Sequence, residues 1–136
     1  MRYELNPPAS PENVRSLRDQ FPNLPSEYFE FLLRSDGGEG FLGIRPGYFQ
    51  LWASHEVVHF SSMYQVTEYL PAYLAVGSSG GGELFILAVS GSPAGIFCID
   101  PISLKSEDVV LVAPNFAAFV SQFGGDWNPD TEELKR

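Results

Sequence analysis

Between Ala72 and Ala113, four short apolar runs, "AYLAVG", "ELFILAV", "GIFCID" and "VVLVA", follow one another with glycine- or proline-bearing turns between them. Runs of this length, rich in aromatic and β-branched residues, read as strands. Two parallel strands need a crossover of roughly a dozen residues or more, and every gap here is shorter. The second half of the chain is therefore restricted to an antiparallel meander.

Upstream, "GFLGI" and "GYFQLW" are divided by Pro46-Gly47 and predict a strand, a turn and a further strand. Before them the apolar period is helical. In "SPENVRSLRDQF", Ser10 is placed to cap, Pro11 occupies the first helical position, and Val14, Leu17 and Phe21 share a face. A second helix is expected in "SEYFEFLLRSDGG", with Ser26 as cap, Tyr28, Phe31 and Leu32 on the apolar stripe, and a stop at Gly37-Gly38. A third is expected from Ser54. A last one follows from Phe116, Phe119, Val120 and Phe123, which fall at helical spacing ahead of Gly124-Gly125.

The order α-α-β-β-α-β-β-β-β-α predicts an α+β fold. It is read as one domain over residues 1–127, a mainly antiparallel sheet with helices packed on one face, and a polar C-terminal tail at 128–136. A chain of 136 residues with 44% hydrophobic side chains can bury a substantial core. Its start, "MRYELNPPAS", has no apolar leader core, and no run approaches the ~20 apolar residues of a membrane helix. A cytoplasmic location away from membranes is expected. The single Cys98, inside an apolar run, is expected to be a buried, unreactive thiol.

The formal charge of -9 opposes nucleic-acid binding, which needs a basic face to displace phosphate counterions, and suits a basic partner or plain solubility. Two motifs invite an enzymatic reading. His55, Glu56 and His59 spell H-E-x-x-H, which on a helix would let both imidazoles hold zinc while the glutamate activates water. The chain has no third histidine, so Glu83, or less plausibly Glu68, would have to complete the set. With Ser54 as cap, His55 and Glu56 fall in an exposed first turn, where the helix dipole already favours the carboxylate. A zinc hydrolase using His55, His59 and Glu83 stays as the alternative, and a catalytic constellation or cofactor is not expected.

The second motif is "GSSGGGEL", where Gly77 and Gly82 have phosphate-loop spacing. Glu83 stands where lysine is required, and a strand follows in place of the helix whose N-terminus would hold phosphate. A glycine-rich hairpin turn accounts for it.

Taken in order, "LPSEYFEFLLRSDGGEG", "FQLWASHEVVHFSSMY", "YLPAYLAVGSSGGGELFIL" and "PNFAAFVSQF" resemble the SUKH superfamily, which includes the fungal Smi/Knr cell-wall-synthesis regulators. The similarity runs from Leu24 to Phe123. Asp36 departs from it, standing where asparagine is common. The resemblance implies an α+β fold without enzymatic activity. It also implies a protein-binding role: bacterial members are mostly immunity proteins that neutralise a cognate toxin, frequently a nuclease, and fungal ones are signalling or scaffold modules. A nuclease is basic where it holds nucleic acid, so an acidic inhibitor gains electrostatic steering toward it. On that ground Asp36, Glu39 and Glu83, with the aromatic Trp52, are the candidate partner-binding residues.

Overall fold

The computed structural model describes residues 2–129; the expected polar tail lies mostly outside them, at 130–136. The chain runs β1 (Tyr3–Leu5), α1 (Pro11–Gln20), α2 (Ser26–Arg34), β2 (Gly38–Phe41), β3 (Tyr48–Leu51), α3 (Val57–Met63) and α4 (Val66–Tyr69). It continues through β4 (Tyr73–Ser78), β5 (Leu84–Ala88), β6 (Ile96–Ile99), β7 (Val110–Ala113) and α5 (Phe116–Val120). The strands form one antiparallel sheet in chain order, β1 to β7, as the short turns require. The α+β class holds.

The alternation of side chains along each strand divides the apolar residues between two faces. Phe49 and Leu51 of β3, Leu74 and Val76 of β4, Phe85 and Leu87 of β5, and Ile96 and Cys98 of β6 join the main core. Onto that face pack Val14 and Leu17 of α1, Tyr28, Phe31 and Leu32 of α2, and Phe116 and Phe119 of α5. Phe123 stacks on Phe49 at a centroid distance of 4.0 Å, and Phe119 meets Phe85 edge-on at 5.2 Å. Phe49, Phe85 and Phe119, fully buried, each contribute about 1.5–3 kcal/mol relative to the exposed state.

The expectation of helices on one face holds for α1, α2 and α5, and α4 departs from it by packing on the opposite face. Val66 and Leu70 cover Ala75, Leu84, Ile86, Phe97 and Ile99, the intervening strand residues that point the other way. The link is α3, which sits beside the first half of β4 where β3 has already ended. There Ser61, wholly buried, accepts the Ala75 backbone N–H through Oγ at 3.1 Å. A helix thus satisfies a strand donor that no neighbouring strand reaches.

Four local expectations change. The strand β1 was not anticipated: its three residues are too short a run to predict a strand, and it exists because Tyr3, Glu4 and Leu5 pair with Gly40, Glu39 and Gly38. The strand expected at "GFLGI" begins earlier, at Gly38, so the second glycine of the pair expected to stop α2 belongs to the sheet. Gly37 makes the reversal, with φ +89° and a Cβ position only 2.4 Å from the Leu51 carbonyl oxygen, which excludes any side chain. Pro25, not Ser26, holds the cap position of α2, and Ser26 is its first residue. Lastly, Ser54 is not the cap of α3. Residues 54–56 form a turn, the helix starts at Val57, and the buried Ser54 Oγ has no hydrogen-bond partner.

At the other end, the chain leaving α5 returns along β2. Gly124 donates its N–H to Phe41 at 2.8 Å and Gly43 donates to Gln122 at 2.8 Å, while Leu42 bridges to Phe123. Arg2 reaches the same corner, donating through Nε to the Gly124 carbonyl and pairing with Asp126. The start of β1 and the segment leaving α5 are thereby tied together beside β2.

Candidate functional site

Because α4 covers only the β4–β6 half of its face, the β1–β3 half of that face is left open among the described residues. Register places Glu4, Glu39, Gln50 and Ser78 directly beside one another on four successive strands, a polar row about 15 Å long at the usual strand spacing. Their neighbours along the strands, Leu5, Gly38 and Leu51, turn inward. Tyr48 and Trp52 flank Gln50 two residues away on either side and so share the open face.

Hydrogen bonds run along the row. Ser78 Oγ donates to Gln50 Oε1 at 3.0 Å, Gln50 Nε2 lies 3.4 Å from Glu39 Oε2, and the Tyr48 hydroxyl donates to that same oxygen at 2.7 Å. That bond to the Glu39 carboxylate, with smaller effects of burial and of its charge, raises the Tyr48 phenol above its ordinary value. At one side of the row the face deepens into a groove of about 490 Å³. Glu4, Glu39, Gln50, Trp52, Glu56 and Phe60 line it. Trp52 is half-buried, meeting Phe60 edge-on at 5.2 Å and Tyr64 in parallel at 6.0 Å, so its ring is held in place while one part faces the groove.

Of the four candidate partner-binding residues, the structure brings Glu39 and Trp52 into this groove. Asp36 serves the fold: its Oδ1 accepts the Ser54 N–H at 2.7 Å, its carbonyl accepts Asn6 Nδ2 at 2.9 Å, and its N–H donates to Pro7. It also lies close enough to the buried, unpartnered Tyr28 hydroxyl to add to the effect of burial, which drives that phenol well above its usual range. Glu83 precedes β5 two residues before Phe85, and so shares the main-core face. There its Oε2 accepts the Cys98 thiol at 3.3 Å. Burial first, and then the Glu83 charge and hydrogen bond, push that thiol up to about 12, against a small opposing effect of Arg45.

Two groove residues escaped the sequence argument. Glu4 depends on β1, whose only signal is the brief apolar–polar–apolar alternation of Tyr3, Glu4 and Leu5. Glu56 was legible only as part of the zinc motif. In the structure that motif is divided. His55, exposed in the turn, lines a small depression against Asn13, Ser16 and Gln20 of α1. Glu56 faces the groove and caps backwards, accepting the Ala53 N–H through Oε1 at 3.1 Å. His59 is exposed beside Phe60. Glu83 lies on another part of the sheet, and among the described residues no three His, Cys, Asp or Glu side chains come together as a metal site.

The glycine loop Gly80–Gly82 is a hairpin connection between β4 and β5, closed by Ser79 Oγ, which accepts the N–H groups of Gly81 and Glu83 at 3.1 Å each. No helix follows it to hold a phosphate. Among the described residues no helix is long and apolar enough to cross a membrane.

No curated protein matches the chain. A sequence model of the SMI1 / KNR4 family (SUKH-1) matches residues 8–122, which takes in α1 as well as the segments from Leu24 onward. With that match spanning most of its length, the chain belongs to the SMI1 / KNR4 family (SUKH-1).

Proposed function

We propose that this protein is a non-catalytic binding domain of the immunity type, which neutralises a basic protein toxin by covering its surface. The observation that carries the reading is the open half of the sheet. Glu4, Glu39 and Glu56 meet there around a fixed, half-buried tryptophan, and among the described residues no three metal-ligating side chains converge on them. Such a surface suits a partner of opposite charge. Clustered carboxylates speed encounter with a basic protein, and a central aromatic side chain supplies the desolvated contact that slows release. A nuclease toxin presents such a basic surface where it holds nucleic acid. The role places the protein in the cytoplasm, where such a toxin acts.

The test starts from the neighbouring genes: one that encodes a toxin-like protein supplies the partner to be co-expressed. Co-expression should restore growth of cells producing it, and the two purified proteins should form a stoichiometric complex that weakens as salt rises. Neither protection nor complex formation would remove the immunity reading.

A further inference from the structure

The open groove has a feature that binding of a generic basic surface does not require. Glu4 and Glu39 are direct register partners on adjacent strands, and like charges so placed oppose pairing. Among the described residues no Lys, Arg or His lines the groove to offset them. Arg2 lines an adjoining depression that shares Glu4 and Glu39, and there it is paired with Asp126 and lies 4.7 Å over the Phe41 ring. The Glu4 carboxylate makes no hydrogen bond or ion pair among the described residues.

The other two carboxylates are held by one oxygen each. Glu39 Oε2 takes Tyr48 and Gln50, and Glu56 Oε1 takes the Ala53 N–H, so Glu39 Oε1 and Glu56 Oε2 remain as oriented acceptors. The Trp52 ring stands in the same wall, its position set by Phe60 and Tyr64. Fixed carboxylate acceptors beside an indole match a planar, delocalised cation with several in-plane donors better than a compact ammonium ion, which has a tightly held water shell.

We infer that the groove between Glu4, Glu39, Glu56 and Trp52 is the receptor for one arginine side chain of the protein partner. The inference rests on the protein-binding reading and names the group recognised. The guanidinium converts the Glu4–Glu39 repulsion into attraction to both, and its flat face lies along the indole. The groove volume accommodates the side chain and its flanking main chain. Glu83, which points from the opposite face of the sheet, has no part in it.

The test is titration of the isotope-labelled full chain with the peptide acetyl-Gly-Arg-Gly-amide, read by amide and indole NMR shifts. Saturable shifts are expected at Gly38, Glu39, Gln50 and Trp52, including its indole N–H, and should fade with added salt. The lysine peptide should bind at least about threefold more weakly, and the uncharged citrulline peptide should give no groove shifts. Glu4→Gln and Glu39→Gln should each weaken the arginine response by about fivefold, the scale of one exposed charge pair, while Glu83→Gln leaves it unchanged. Equal response to lysine and arginine, shifts spread over every acidic surface, or no groove shifts would each overturn the inference. The two readings fail separately. Toxin binding that survives in the Glu4→Gln/Glu39→Gln double variant removes the arginine receptor and leaves the binding function. Arginine-specific groove shifts without any toxin complex remove the immunity role and leave the receptor.

Discussion

The Asp36 carboxylate accepts the backbone N–H of Ser54 at 2.7 Å, fastening the end of α2 to the turn that leads into α3. Asp36 also holds Asn6 and sits near the buried Tyr28 hydroxyl, so one residue joins three segments far apart in the chain. Asp36→Ala strands a partly buried donor that was bonded to a charge. It should destabilise the protein by about 1.5–3 kcal/mol, measured by urea unfolding. Asp36→Asn keeps an acceptor and should lose less than half of that. An effect confined to partner affinity, with unfolding unchanged, would return Asp36 to the binding surface.

Ser61 makes a comparable link inside the core. Ser61→Ala leaves the Ala75 N–H buried without a partner and should cost about 1–3 kcal/mol. Hydrogen exchange should show the same change locally, with the Ala75 amide losing protection before the amides of β5. Unchanged stability and protection would mean that α3 does not hold the half of β4 that β3 leaves unpaired.

Cys98 should be almost inert to alkylation. A thiol shifted from its ordinary value of 9.0 to about 12 has its thiolate fraction near neutrality reduced by about 10³, so native protein should react with iodoacetamide far more slowly than unfolded protein. The sign for stability follows from the same shift. The folded state keeps a proton that the unfolded chain releases, so this group's contribution is complete below pH 9 and is lost as pH rises toward 12. Cys98→Ala should flatten the alkaline limb of a stability-against-pH curve. An equally steep limb in the variant would refute the assignment.

Zinc should neither co-purify with the untagged protein nor raise its Tm. His55 and Glu56 face different depressions, and no third ligand stands near them among the described residues. Stoichiometric zinc that disappears in His55→Ala would reverse this conclusion and restore the hydrolase alternative.

The groove shows how little of a binding surface can be read along a chain. Trp52 and Glu39 stand out locally, as an aromatic at a strand end and an acid between glycines. Glu4 lies in a segment that reads as coil, and nothing local aligns it with Glu39 and Gln50; that alignment follows from a β1–β2 register built on Gly38 and Gly40. Glu83 looked equivalent to Glu39 because both follow glycine. Strand parity sends it to the other face, where it meets Cys98. Ser54 likewise reads as a cap by residue type, but packing of Val57 into the core sets the helix start three residues later.

By itself the sequence determined the fold class, the antiparallel order of the strands and most of the core. Turn length and apolar period act locally and leave few alternatives: gaps too short for crossovers force neighbouring strands to pair, and the phenylalanine spacing of the last helix marks its buried side. Tertiary structure alone decided which surface stays open. Exposure depends on where a short helix happens to cover the sheet, and α4 shields the β4–β6 half while leaving β1–β3 bare. It also decided which acids share that surface, because register and side-chain parity link residues across 46 positions of chain, from Glu4 through Glu39 to Gln50. Long-range pairing of that kind has no local signature, so the site exists only once the sheet has formed.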